Sequence, residues 1–455
     1  MPAKSVLKSK SSAELLSYII NQTPILSEEI DLPKQGESIA EIGKIIVNND
    51  RYRNAFINTV NLIGLTVIKR NAYTNPWDFT DKGTLDVGQQ IREIINDLVD
   101  VYDYNEQFDN KTQFLQTQVP NVFNYIHELN FQKYYHVTIA RGRLLQAFLR
   151  DDLESYIDDA ISMMWTSFQY DKYIVNKYML CRRMCNGTMT SIKIENYDTI
   201  DERDKVSAIQ NISSLMTFMK PNYNPAGIHR ATPYDKQILI VNTNFRADYS
   251  TKVLATAFFK SEAELTARLK EIDGFDDHDT IRLQKLLKNQ YTAFTEAELG
   301  FLKNVPAVLI ADDFFMNYAY ALDNTPEGTV LRQFENPTSL EDHHYLHVWY
   351  VFSTSPFANN AIFTKDDVTV KSVKISPATV TSSTNQEVQF NATVETTGFA
   401  NKAVTWESNN EHVVIDINGN AKILEGATGS ITITARSIYD NTKTGTATLS
   451  IPAEE

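Results

Sequence analysis

A chain of 455 residues is too long for one ordinary hydrophobic core, so two or three domains are expected. Hydrophobic content of 42% and charged content of 22% are globular values and exclude a disordered chain. A net charge of −14, with excess acid in both body and tail, excludes nucleic-acid binding through a broad basic surface.

Met1 to Lys10 is basic but has no apolar stretch and no small-residue cleavage site, so it does not read as a secretory signal. No run approaches the roughly 18 apolar residues of a membrane span. The expectation is a soluble protein made and used in a reducing cytoplasm, with no membrane partner.

Ser11-Ser12-Ala13-Glu14 forms a capping box ahead of Leu15, Leu16, Tyr18 and Ile19, which predicts a short amphipathic helix. Asp31 to Glu41, with Pro33 and Gly36, reads as extended. This N-terminal piece has too little apolar surface to pack alone and must lie on the body or on a neighbour. A helix is predicted from Asn49 to Ile63 on Phe56, Val60 and Ile63, followed by a strand at Leu65 to Ile68. Asn75-Pro76, Asp81-Lys82-Gly83 and Gly88 then punctuate strand-like pieces at Ala72 to Thr74 and Trp77 to Thr80, a projecting hairpin with Trp77 and Phe79 near its tip. Aromatic residues on a protruding loop suggest protein contact, although folding back on their own domain explains these residues equally well.

The strongest helical signal runs from Asp151 to about Arg183. Asp151-x-x-Glu154 caps it, and Leu153, Tyr156, Ile157, Ala160, Ile161, Met164, Trp165 and Phe168 follow at helical spacing. A long helix with one apolar stripe is usually a spine on which a sheet packs. Residues 190–330 mix strands (Gln237 to Val241, Ala307 to Ile310) with helices (Lys252 to Phe259, Ala263 to Glu271, Glu296 to Leu302), an α+β or α/β layer. His343 to Phe352 reads as one aromatic-rich strand, and Asp366-Asp367 ends the body.

Composition then changes abruptly. Residues 366–455 have no Met or Cys, one Trp (Trp406) and one Arg (Arg436), with Ser and Thr scattered among Val and Ile. Val373 to Pro377, Val388 to Val394, Val404 to Trp406, Ala421 to Ile423, Ile431 to Ala435 and Thr446 to Ile451 alternate as strands, with turns at Asn418-Gly419, Gly426, Gly429 and Asn441. This tail reads as a β-sandwich with Trp406 as the core plug between its sheets.

The candidate chemistry is sparse. Cys181 and Cys185 share a helix face, but a structural zinc needs four ligands and none complete the set, so two buried thiols are the plainer reading. In Glu341-Asp342-His343-His344-x-x-His347, a strand points His343 and His347 to one face and His344 to the other, which splits a metal set and suits ordinary strand histidines. Asp273-Gly274-Phe275-Asp276-Asp277 lacks the bidentate Glu of a calcium loop, and Asp312-Asp313 has no accompanying base, nucleophile or phosphate-cradling loop. No catalytic, cofactor-binding or metal residue is nominated, and the expectation is not an enzyme.

A distributed set of residues carries a resemblance. It comprises Ile63-Gly64-Leu65-x-Val67-Ile68, Asn75-Pro76, Lys82-Gly83, Gly88, Ile91-x-Glu93, Pro120-Asn121-Val122 and His127-Glu128. Tyr134-Tyr135-His136-x-Thr138-Ile139, Asp273-Gly274-Phe275, Ala307-Val308-Leu309, Asp313-x-Phe315-Met316 and Tyr345-x-His347-Val348-Trp349 follow, leading into Ser353 to Phe363. In order and spacing, from about residue 40 to 363, the chain resembles the major head (capsid) proteins of phi 29-like small short-tailed phages. The tail is similar to a bacterial immunoglobulin-like group 2 domain.

That resemblance implies an α+β phage Hong Kong 97-type capsid fold over 1–365, plus an all-β immunoglobulin-like sandwich at 366–455. It implies an N-terminal arm (1–50), an extended loop (about 70–115), a peripheral domain (about 116–195 and 330–363) and an axial domain (about 200–325). It further implies self-assembly as hexamers and pentamers into an icosahedral or prolate head that encloses double-stranded DNA without sequence-specific binding. A scaffolding protein would assist during assembly in host cytoplasm, and a portal or connector would join the shell. No residue pair suggests covalent cross-linking, so a non-covalent shell is expected. Trp77 and Phe79 become candidate intersubunit contacts. The module would decorate the outside, with a head fibre or host-surface glycan as its possible ligand and plain decoration as the alternative. The competing classes are a carbohydrate-active enzyme with an appended module, which needs a clustered carboxylate pair, and a surface adhesin, which needs a signal and an anchor.

Overall fold

The computed structural model describes residues 12–32, 39–57, 59, 73, 75–86, 88–99, 122–150, 163–248, 268–321, 329–336, 338, 341–410 and 412–452. The fold is mixed α+β. In chain order the strands of the body are β1 (Asp81–Asp86), β2 (Ile91–Asn96), β3 (Val122–His127), β4 (Phe131–Ala140), β5 (Ser191–Lys193) and β6 (Gln237–Asn242). They continue with β7 (Leu269–Ile272), β8 (Ala307–Ala311), β9 (Asn317–Ala321), β10 (Thr329–Asn336), β11 (Glu341–Val351) and β12 (Asn360–Thr364). The chain divides into two units: Met1–Gln90, Glu128–Val175 and Asn317–Phe352 form the first, and the remaining segments form the second.

The first unit is built on β11. Its residues alternate in burial from Glu341 to Tyr350, as the aromatic-rich strand pattern predicts. β4 pairs along one edge from Ala140↔Glu341 to Phe131↔Tyr350, and β10 pairs along the other until β9 takes over at Tyr350. β1 lies parallel to β9. The segment DKGTLD has one large apolar residue and no strand signature of its own, so pairing with β9 decides its conformation. The predicted strand at Trp77 to Thr80 is instead a 3-10 turn, Asp78–Thr80, opened by the Asn75 carboxamide accepting from the Trp77 amide at 2.9 Å.

Helix Ser12–Gln22 forms as its apolar spacing predicts, burying Leu16, Ile19 and Ile20; Ser11, the predicted cap, lies outside the described residues. Part of the segment expected to be extended is helix Ala40–Asn48. Gly43 lets that helix touch helix Arg141–Arg150, since a Cβ there would sit 2.4 Å from the Phe148 ring. Residues 51–57 continue as helix, whereas Leu65 to Ile68 lies outside the described residues.

Helix Met163–Cys185 begins in the first unit and ends in the second. Met164, Trp165 and Phe168 are buried as their spacing predicts, but burial further along extends all round the helix and takes in Asp171, Lys172 and Lys177. Each buried charge has a partner, as burial requires. Asp171 accepts from the Tyr135 hydroxyl at 2.6 Å, Lys172 pairs with Asp81 beside the rings of Phe168 and Tyr350, and Lys177 meets Asp273 at 2.5 Å. The residues from Asp151 to Ile161 lie outside the described set.

The second unit centres on the sheet β5-β12-β8-β6-β7. β8 is buried along its whole length, and β6 along all but its last residue, as in strands covered on both faces. Helix Glu202–Leu215, capped by Asp201, buries Val206 and Ile209 with Leu239, Val241 and Phe363. Leu269 to Glu271, expected to end a helix, is strand, because parallel pairing with β6 outweighs local propensity. Residues 249–267, which include Lys252 to Phe259, lie outside the described set.

The C-terminal module belongs to the second unit and is made of strands β13 (Thr369–Ser376), β14 (Thr379–Thr381), β15 (Glu387–Gln389), β16 (Asn391–Thr397), β17 (Val404–Ser408), β18 (Val413–Ile415), β19 (Asn420–Ile423), β20 (Gly429–Ser437) and β21 (Thr444–Ile451). They pair as β13-β16, β14-β21-β20-β17 and β15-β19-β18 around a core of Val, Ile and Leu. The fully enclosed aromatic is Phe390. Trp406 is half-buried at the edge of that core, a correction to its expected role as central plug. The Asn418-Gly419 turn requires glycine: φ is +81°, and a Cβ would lie 2.3 Å from the Phe390 carbonyl oxygen.

Candidate functional site

The groups with chemical potential are used structurally. Cys181 and Cys185 are free and buried; burial raises both thiols, that of Cys185 to about 12, and Cys181 donates weakly to the Phe275 carbonyl at 3.4 Å. Asp273 serves Lys177, Asp312 serves Lys236 at 3.2 Å, and Asp313 pairs with Arg230. His343 and His347 lie on the open face of the first unit's sheet and His344 on its buried face, as strand geometry predicts. Among the described residues no three His, Cys, Asp or Glu side chains are grouped to hold a metal, and no helix is long and apolar enough to cross a membrane.

The second unit contains a cleft of about 1020 Å³ lined by Tyr125, Phe357 and Trp406, with Asp97 and Asp416 as its acids. Both acids are already engaged. Asp97 accepts from the amide of His229 at 3.2 Å and lies 3.1 Å from its ring, and Asp416 accepts from the amides of Asn418 and Asn420 at 2.9 and 2.8 Å.

The surface feature that stands out is the antiparallel ribbon of β2 and β3, with register Ile91↔His127 through Asn96↔Val122. Its two faces differ. Ile91, Glu93 and Ile95 are half-buried, and His127 closes this inner face, fully buried. The His127 ring lies 3.0 Å from the Glu93 carboxylate and 2.7 Å from the Ser353 hydroxyl, and Tyr125 stacks edge-on at 4.9 Å. Behind it, Arg183 donates to the Thr354 hydroxyl at 2.8 Å and the Ser355 carbonyl at 3.3 Å. Burial lowers its guanidinium to about 10 against the opposing pull of Tyr125 and Glu93.

The outer face carries Arg92, Ile94, Asn96, Val122, Asn124 and Ile126, all exposed. Ile94 is 61% exposed, Val122 51% and Ile126 39%, with Leu98 and Val99 beyond the strand end at 57% and 77%. Held on its inner side, the ribbon leaves Ile94, Val122 and Ile126 exposed on its outer side, with nothing covering them among the described residues. A two-stranded ribbon is marginal in water by itself, so such a face gains by being covered.

A second open surface is the solvent face of β4, β11 and β10. His136 and His343 share a 2.9 Å hydrogen bond, His136 stacks on Tyr345 at 4.4 Å, and Tyr134 and Phe334 stand more than 60% exposed.

The sequence-predicted contact residues lie elsewhere. Trp77 is fully buried within the first unit, edge-on to Tyr173 at 5.5 Å and 5.9 Å from the half-buried Phe79. It therefore cannot reach a neighbour directly, which corrects its nomination; Phe79 keeps partial access. The outward face of Ile94, Val122 and Ile126 was not predicted, because neither Ile91 to Asn96 (IREIIN) nor Val122 to His127 (VFNYIH) alternates between apolar and polar residues; the strand pairing creates it.

Known proteins match this sequence over most of the chain. The family model described as Phi29-like phage major capsid protein matches residues 28–364. The major capsid protein of Bacillus phage B103 is 26% identical over 419 residues, which is 89% of this chain and 84% of that protein. That of Bacillus phage PZA is 28% identical over 378 residues, 81% and 77% of the two chains. A chain in the capsid structure of Staphylococcus phage Andhra superposes with a TM-score of 0.45 at 12% identity, covering 65% of this chain and 85% of its own.

Proposed function

We propose how this shell subunit works from one premise: the chain belongs to the family of Phi29-like phage major capsid proteins and is a structural component of the phage head. In our reading it has a Hong Kong 97-type fold. The N-terminal arm spans 1–50, the first unit forms most of the peripheral domain, and the β5–β12 sheet with its helices forms the axial domain. The extended loop is the β2–β3 ribbon with the residues it connects, so its working part lies later than the expected 70–115.

One observation carries this reading. The ribbon is anchored through buried His127 and presents Ile94, Val122 and Ile126 to solvent, the form of a segment meant to lie on another copy. Quasi-equivalent positions in a closed shell demand contacts that adapt, and a ribbon clamped at its base can tilt while its strands keep their register. The acidic net charge suits a wall that encloses DNA without gripping it. Scaffolding protein and portal are the partners that assembly of such a head calls for. The module is an immunoglobulin-like group 2 sandwich on the outer surface, where many copies would multiply a weak affinity for a host-surface glycan or fibre.

The test is co-expression with a scaffolding protein, followed by electron microscopy. Wild-type chain should give closed particles. Ile94→Asp with Ile126→Asp should leave the subunit's circular dichroism unchanged and reduce closed particles at least tenfold, because each charge would have to be buried on contact. Undiminished particle yield would remove the ribbon from the assembly contact.

A further inference from the structure

Two independent cores joined by a short linker would leave the C-terminal module a loose appendage, and the contacts within the second unit are not those of an appendage. The Lys402 amide donates to the Gly187 carbonyl at 2.8 Å, the Ser191 hydroxyl to the Phe399 carbonyl at 2.7 Å, and the Asn222 carboxamide to the Ile438 carbonyl at 3.3 Å. The Phe301 and Phe399 rings meet at 4.6 Å. Ser191 and Ala400 are fully buried, and Phe301 and Ile438 nearly so.

Body residues are shaped to admit the module. Gly227 has φ +66°, and a Cβ on it would lie 2.7 Å from Ile438 Cδ1; Gly187 has φ +68°, and a Cβ on it would lie 2.9 Å from the Ala400 carbonyl oxygen. Side chains at these two positions would push the module away. The linker is pinned as well: the Asn304 carboxamide donates to Asp366 at 2.7 Å, and Lys193 reaches Asp367 at 2.8 Å. Two of these contacts, those of Ser191 and Lys193, fall on β5, an edge strand of the central sheet and so a place where backbone groups need a partner.

From this seam we propose that the module is a clamp for the α/β layer of its own subunit. It closes over the β5 edge in one orientation and moves as part of that layer, so anything it binds is presented at a fixed angle. The proposal rests on contacts inside one subunit and stands whether or not the ribbon mediates assembly.

The test is hydrogen exchange on the full-length chain carrying Phe399→Asp, a change confined to the module side of the seam. Exchange in segments 186–194 and 221–228 of the body should accelerate about tenfold, while β20 and β21 inside the module stay protected. A second variant, truncated after Lys365, should melt below the full chain or fail to accumulate as folded protein. Unchanged body exchange in Phe399→Asp, or a truncated chain that melts with the full-length protein, would overturn the proposal.

Discussion

Ile94 and His127 share one short ribbon and do opposite work: the first is left in water and the second is removed from it. His127 is held between Glu93 and Ser353 with no exposure, so His127→Ala should leave a half-buried carboxylate short of a donor and open a void. The expected cost is about 1–3 kcal/mol, read from denaturant unfolding. His344 gives a different signal. It is buried with neither ring nitrogen bonded among the described residues, and burial, followed by the nearby His343 and His136, lowers its pKa from 6.5 to about 4. The unfolded chain therefore takes up a proton that the folded chain refuses between those two values. Stability should fall as pH drops through that window, by about 3 kcal/mol for this group. His278, also lowered to about 4 by burial, adds to the slope. His344→Leu should flatten the dependence of melting temperature on pH between 6.5 and 4 without lowering stability at pH 7. An unchanged slope would mean that His344 does not titrate on unfolding.

Among the elements, those with a strong local pattern were legible in the chain itself. β8 is a continuous apolar run and β11 an alternating one, and both lie where their patterns put them. β1 and β7 were not legible, because their pairing partners supply what their residues lack. Trp77 shows the same limit for side chains: an aromatic residue in a turn reads alike whether it faces a neighbour or its own helix, and Tyr173 decides the matter from almost a hundred positions away. The close approach of helices Ala40–Asn48 and Arg141–Arg150 is a further case, resting on a glycine whose partner is remote in sequence. Gly43→Ala should force Phe148 or the helix to move and cost about 1–3 kcal/mol, measurable by thermal unfolding. A neutral effect would show that the helix pair has slack.

At the scale of the whole molecule, the break in composition at the C-terminal module was plain. The seam that ties module to body was not, since backbone carbonyls, two glycines and one ring pair form it, none with a local signature. The family relation fixes what the molecule belongs to, whereas the ribbon's outer face is our proposal for where one copy meets the next. The most direct measurement is a near-atomic cryo-electron microscopy map of the assembled head. Our account predicts that Ile94, Val122 and Ile126 are covered by a neighbouring subunit at every quasi-equivalent position. A closed shell in which that face of the ribbon points into solvent would contradict it.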